Sequence, residues 1–268
     1  MTNSVVIAVD AMGGDNSPKK VLSGVSEFLK NNNDVFFRIF GPKSIIENEL
    51  SKITIKKNFF EIINCDEVIH DNDTPLAAAK KKNTSMWKAI NDVKEKNSDV
   101  IVSAGNTGAL FVISKLNINM IENISKPALA GLWPNKIDMN IVLDLGANVE
   151  CNEKNFEEFA LMGAALHNAL YPQDKSKVAL LNIGSEEIKG HETIKKAYQI
   201  LENKKNQLYE FCGYIEGNHI MNGDGACLSK SSAWSMTAKA CWSCLWRHSG
   251  WTATVSLCRQ MQVPRVGR

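Results

Sequence analysis

The 268-residue chain lacks most signatures that announce an activity. No run approaches the roughly 18 apolar residues needed to cross a membrane. Met1-Thr2-Asn3-Ser4-Val5 has no basic segment ahead of an apolar one. No secretory leader is therefore expected, and the compartment should be cytosolic, with cysteines as thiols. There is no G-x-x-x-x-G-K-[ST] phosphate loop, no G-x-G-x-x-G fingerprint, no G-x-S-x-G elbow and no H-E-x-x-H pair. His70, His167, His191 and His219 show no ligand spacing, so no resident metal or cofactor is expected. What remains is ordinary: 44% hydrophobic and 22% charged residues, the make-up of a globular protein. At roughly 150 residues per domain, the length gives one large domain or two small ones.

One absence is local. Residues 225–268 contain no Asp, Glu, Asn or Ile, yet hold six of the 31 basic residues, four of six Trp and four of seven Cys. Residues 1–224 carry all 29 acids and a net charge of −4, against +6 for the stretch that follows. Uniform composition would have put about six acids there. The stretch reads as a basic arm, as a small metal module built on Cys241-x-x-Cys244 and His248, or as an end foreign to the fold. Composition favours the last. The expected division is an α/β domain over 1–224 and an unrelated basic tail over 225–268.

In the body, apolar runs of strand length alternate with helix-period stretches. Val5–Val9 is β-branched and unbroken, as in a buried parallel strand. Further strands are expected at 35–40, 61–63, 100–102, 127–132, 141–143, 178–183 and 209–212. Ser17-Pro18 predicts a helix start with Ser17 as cap, running to about Lys30. Thr74-Pro75 predicts one long helix to about Lys96, and further helices are expected at 108–116, 155–170 and 192–202. The alternation implies an α/β fold with a mainly parallel sheet.

Glycines and polar residues collect where these strands end. Val9 runs into Asp10-Ala-Met-Gly-Gly14-Asp15, and Val102 into Ser103-Ala-Gly105-Asn106-Thr107-Gly108. Leu143 runs into Asp144-Leu-Gly-Ala-Asn148, and Leu181 into Asn182-Ile-Gly184-Ser-Glu-Glu-Ile-Lys189-Gly190. In one parallel sheet these four loops would share a rim, where open α/β proteins bind ligands. The Ser103–Gly108 turn enters a helix, so its amides and the positive helix end suit phosphate. Lys189 could add a cation, while Asp10, Asp15 and Asp144 could orient the donors. Each loop also reads as an ordinary turn, and each aspartate as a cap or turn residue.

The segments together resemble the bacterial phosphate acyltransferases of phospholipid synthesis. They are Asp10–Asp15, Ser103–Ala109, Pro127–Ala130, Asp144–Val149, Phe159–Gly163, Leu181–Gly190 and Gly213–Gly217, in family order across about 4–224. The resemblance implies a three-layer α/β/α sandwich akin to phosphotransacetylases and isopropylmalate dehydrogenases. It implies transfer of a fatty acyl group from acyl carrier protein to inorganic phosphate, giving acyl phosphate for a downstream glycerol-phosphate acyltransferase. It further implies a homodimer, cytoplasmic or loosely attached to the inner membrane face, with no nucleic-acid partner. Ser103, Gly105, Asn106, Thr107, Gly108, Asp10, Gly14, Asp15 and Gly184 are the expected phosphate and substrate contacts. Lys189 is the expected cationic clamp, Asn148 a donor to the carbonyl oxygen, and Asp144 the third catalytic candidate. Lys80-Lys81-Lys82 is the expected landing site for acidic carrier protein. The likeness stops after Asn222-Gly-Asp224, where the family continues with an Asp-Gly-Phe-x-Gly-Asn loop absent here. A truncated, frameshifted copy is the expectation, and an inactive remnant or a coenzyme A-dependent phosphotransacetylase stay open as alternatives.

Overall fold

The computed structural model describes residues 4–183, 190–204, 206–222, 227–230 and 255–256. In chain order the elements begin β1 (Val5–Asp10), α1 (Lys19–Phe28), β2 (Val35–Gly41), α2 (Lys43–Leu50) and β3 (Phe60–Asn64). They continue with α3 (Pro75–Ala78), α4 (Ser85–Lys94), β4 (Val100–Ser103), α5 (Thr107–Asn117), β5 (Gly131–Pro134) and β6 (Met139–Leu143). Next come α6 (Glu153–Leu170), β7 (Ser176–Leu181), α7 (Glu192–Asn203) and β8 (Tyr209–Ile215). Last are α8 (Gly217–Ile220), β9 (Cys227–Lys230) and β10 (Val255–Ser256). Two compact units result, one from 1–119 with 251–268, the other from 120–250.

The first unit holds a sheet in the order β10-β4-β1-β2-β3, parallel except for the short β10. Successive residues of a strand face opposite sides, so an unbroken apolar run is buried on both. Ala8, Phe40 and Ile101 pack with Met86, Ile90 and Ile113 from α4 and α5. Val9, Phe37 and Ile39 pack on the other face with Leu22 and Val25 of α1 and Ile46 of α2. Register then sets the chemistry, because Asp10 lies beside Ser103 at the ends of β1 and β4.

The second unit holds a sheet in the order β5-β6-β9-β7-β8, with β5 antiparallel and the rest parallel. Ile141, Leu143, Val178 and Leu180 pack against Phe156 and Phe159 of α6 and Ile194 and Ala197 of α7. Val142, Ala179, Leu181 and Ile215 form the core of the opposite face with Ile220.

The α/β class with mainly parallel sheets holds, and several details depart from expectation. The four polar loops follow strands of two sheets and not of one: two follow β1 and β4 of the first, and two follow β6 and β7 of the second. The helix expected over 76–96 is two, because Thr84 Oγ1 accepts the Trp87 amide and starts α4 afresh. Thr74 caps the short α3. Ser17 does not cap α1; its hydroxyl donates to the Gly13 carbonyl at 2.5 Å. The strand expected at 127–132 lies at 131–134, and α2 was missed. Beyond the composition break, the backbone at 227–230 forms β9 between β6 and β7. One strongly apolar residue, Leu228, left no pattern there to read. The rest of the tail, except β10, lies outside the described residues.

Candidate functional site

In the first unit, chemistry begins with a carboxylate that the register buries. Asp10 is 2% exposed. Its oxygens accept hydroxyl hydrogens from Ser85 at 2.6 Å and Ser103 at 2.7 Å, and the Met12 amide at 3.3 Å. Burial pushes the Asp10 carboxyl above its usual range, and these hydrogen bonds pull back part of the rise. Gly13 closes over the group. A Cβ there would sit 2.6 Å from the Gly105 nitrogen, 2.8 Å from Asp10 Oδ2 and 3.0 Å from Ser103 Oγ. The two glycine loops therefore touch backbone to backbone. Gly14, at φ +83°, packs on the Ala104 carbonyl. Asp15 is exposed.

The second loop opens α5. Gly105 N–H donates to Ser103 Oγ at 3.2 Å, so this amide is already used. Asn106 is the helix cap: its Oδ1 accepts the Ala109 amide at 3.0 Å. Its Nδ2 donates to the carbonyls of Asp71 and Asp73, each at 3.1 Å. The Asn106 side chain thus ties the 71–73 loop to the helix start instead of presenting a donor. The amides of Asn106, Thr107 and Gly108 have no partner among the described residues. They are the uncommitted N–H groups at a helix start, an arrangement suited to an oxyanion. Gly108 has a packing role, since a Cβ would lie 2.9 Å from Pro75 Cγ.

In the second unit, Asp144 follows β6 and is 4% exposed. It accepts from the amides of Leu129 (3.0 Å), Ala147 (3.2 Å) and Asn148 (2.7 Å), and from Asn148 Nδ2 (3.1 Å). Asn148 Nδ2 also donates to the Pro127 carbonyl at 2.8 Å. Both amide hydrogens of Asn148 are therefore spent on folding its own loop. The carbonyl-polarising role expected of it needs those bonds to open. Gly184 and Lys189 lie outside the described residues.

Comparison with known proteins now decides the family. A family model described as "Fatty acid synthesis protein" matches residues 5–228. A phosphate acyltransferase of Pelagibacter ubique is 58% identical over 225 residues, 84% of this chain and 67% of that protein. One of Neorickettsia sennetsu is 42% identical over 82% of this chain and 65% of its own length. One of Caulobacter vibrioides is 41% identical over 83% and 62%. The chain belongs to the phosphate acyltransferase family. It spans about two thirds of the length of the curated relatives it matches. Among solved structures, EutD phosphotransacetylase from Staphylococcus aureus is similar in fold, with TM-score 0.65 and 15% identity over 93% of this chain and 84% of that one. A branched-chain phosphotransacylase from Enterococcus faecalis gives TM-score 0.54 and 12% identity over 89% and 84%.

Within the chain, other expected residues fall as follows. Lys81 is paired within the chain: Nζ sits 2.7 Å from Asp73, whose carboxyl is held below its usual range by that bond first and by the His70 amide next. Lys80 and Lys82 are exposed in the turn between α3 and α4. His167 is buried against Ser176, Nδ1 to Oγ 2.9 Å. Among the described residues, no helix is long and apolar enough to cross a membrane. Ser85 was missed, although Thr84-Ser85 before an apolar run is a helix-start signal. Glu158 was also missed; burial raises its carboxyl, and the two Ser125 bonds, the Asn155 amide and the Lys154 charge together outweigh that, leaving it below its usual range.

Proposed function

We propose that this chain carries the phosphate-binding chemistry of an acyl transfer from acyl carrier protein to inorganic phosphate. The observation that supports it is the α5 entry, with three uncommitted amides where two glycine loops meet. Phosphate arrives as its own nucleophile. One of its oxygens attacks the thioester carbonyl, the new C–O bond forms, the C–S bond breaks, and the thiolate leaves to take up a proton. No electron is gained or lost. The protein has to hold phosphate in line and stabilise developing charge. Asn106, Thr107 and Gly108 do the holding with backbone N–H groups. Lys189, matched to the family motif in the sequence, is the proposed cation. Asp144 and Asn148 set the shape of their loop.

The finer proposals are acyl carrier protein as donor, a homodimer, a cytoplasmic protein that docks on the inner membrane face, and a glycerol-phosphate acyltransferase as consumer. The acid-free stretch beyond β9, from residue 231, is proposed as foreign to the family, and reading the coding sequence around codon 225 in all three frames tests that. The function is tested by giving the purified chain phosphate with acyl-acyl carrier protein or acyl-coenzyme A, and trapping acyl phosphate with hydroxylamine. Hydroxamate formed from the carrier-protein donor only when both phosphate and the protein are present, above the direct reaction of hydroxylamine with the thioester, supports the reading. Turnover with coenzyme A alone, or with neither, refutes it.

A further inference from the structure

We propose that Asp10 is a positioning residue that, through Ser103 and Ser85, sets the direction of the α5-entry amides toward phosphate. The inference rests on the phosphate site proposed above.

Three elements converge on this carboxylate. It ends β1, it receives Ser103 from the end of neighbouring β4, and it receives Ser85 from the first turn of α4. Asp10 and Ser103 are 93 residues apart in sequence, so the parallel register of β1 and β4 creates the pair. Ser103 then relays. Its hydroxyl donates to Asp10 Oδ2 at 2.7 Å and accepts the Gly105 amide at 3.2 Å. A hydroxyl that donates in one fixed direction presents its lone pairs in fixed directions too. Gly105 is thereby held at the residue before the helix cap, and the next three N–H groups point where α5 begins. With Gly13 Cα packed against Gly105, the turn has little room to relax.

The placement of the charge argues against simple scaffolding. A neutral pair of serines would join β1 to β4 without burying an ion, and an ion buried near 2% exposure is costly unless surrounded by donors. The first turn of α4 offsets part of that cost, because the helix start favours negative charge. Asp10 also lies behind the amides, with its oxygens occupied by hydroxyl and amide hydrogens. It therefore orients donors and does not itself touch phosphate. Ser85 holds the other oxygen, so its loss should loosen Asp10 by a smaller amount.

The test uses the ¹⁵N-labelled chain, inorganic phosphate as probe, and the variants Asp10→Asn, Ser103→Ala and Ser85→Ala. Asp10→Asn and Ser103→Ala should weaken phosphate binding, and raise phosphate KM, by about tenfold, as expected for a misdirected charge-assisted hydrogen bond. The value of kcat should stay within about twofold, since binding common to ground and transition states appears in KM. Ser85→Ala should weaken binding by a smaller factor, about threefold, and guards against Asp10→Asn failing to fold. Amide exchange at Gly105 should speed up in all three variants, with or without phosphate. If melting temperatures fall while phosphate affinity and Gly105 exchange stay at wild-type values, the role is structural and the inference is overturned. If wild-type amides at 105–109 do not respond to phosphate, the phosphate site itself is wrong and the inference goes with it. Altered Gly105 exchange in the variants would then show that the relay holds the turn for another reason.

Discussion

Two glycine-to-alanine substitutions in the first unit should move stability in opposite directions. Gly24 lies on the exposed side of α1, and a Cβ there meets nothing within 4 Å. Replacing it with alanine reduces the freedom of the unfolded chain and should stabilise by about 0.5–1 kcal/mol. Gly13 is buried where the glycine loops meet. Its new Cβ would stand 2.6 Å from the Gly105 nitrogen, a backbone atom, and 2.8 Å from Asp10 Oδ2. To restore ordinary contact the turn at Gly105 must retreat by about 0.8 Å, which a close-packed interior resists. Overpacking of this kind costs about 1–3 kcal/mol. The retreat also stretches the Ser103–Gly105 bond, already 3.2 Å long, so the upper part of that range is expected. The two variants should thus differ by about 2–4 kcal/mol in urea unfolding at constant slope, read by far-ultraviolet circular dichroism. Gly13→Ala should also lose phosphate affinity, while Gly24→Ala keeps it. A Gly13→Ala protein within about 0.5 kcal/mol of wild type would mean the loops do not touch as described, and the site geometry would fail with it.

Asp144→Ala strips the acceptor from four hydrogen bonds and leaves the Leu129, Ala147 and Asn148 amides unpaired, so unfolding free energy should fall by about 3 kcal/mol, whereas exposed Asp15→Ala should change it by under about 0.5 kcal/mol. Burial pushes the Cys65 thiol up to about 11, so at pH 8 about one thiol in a thousand is thiolate; peptide mapping after maleimide treatment should find Cys65 unmodified in the native chain and modified in urea, with exposed Cys212 labelled ahead of Cys65. Equal labelling of the two in the native chain would contradict the burial. For Asp10 the folded pKa is raised above 3.8, so its contribution to stability is full below that value and is lost as pH rises through the folded value. Unfolding free energies at pH 4.5 and 7 should therefore differ less in Asp10→Asn than in wild type, and an unchanged difference would mean that Asp10 titrates normally. Lys189→Ala should lower kcat/KM by about tenfold or more if the lysine meets developing charge, and wild-type kinetics would remove it from the reaction.

Much of this protein could be read locally. A run such as Val5–Val9 must be buried on both faces, because every residue along it is apolar, and alternation with helix-period stretches then leaves an α/β fold. The Ser103–Gly108 turn was legible as a helix entry because glycines, an asparagine and hydroxyls followed a strand end. Seven short segments in order were enough for the family. Tertiary structure decided which of those groups remain available. Asn106 and Asn148 look alike in sequence as amide donors, yet one is spent on the Asp71 and Asp73 carbonyls and the other on Pro127 and Asp144. Gly108 reads as room for a ligand and serves as room for Pro75. Lys81 reads as surface charge and is held by Asp73. The same limit hid the placement of the four loops on two sheets and the break between α3 and α4. Periodicity records which face of an element is buried, and spacing records what a few neighbouring residues can reach. Neither records strand register, and it is register that brings Asp10 and Ser103 together across 93 residues and turns two ordinary glycine turns into one cradle.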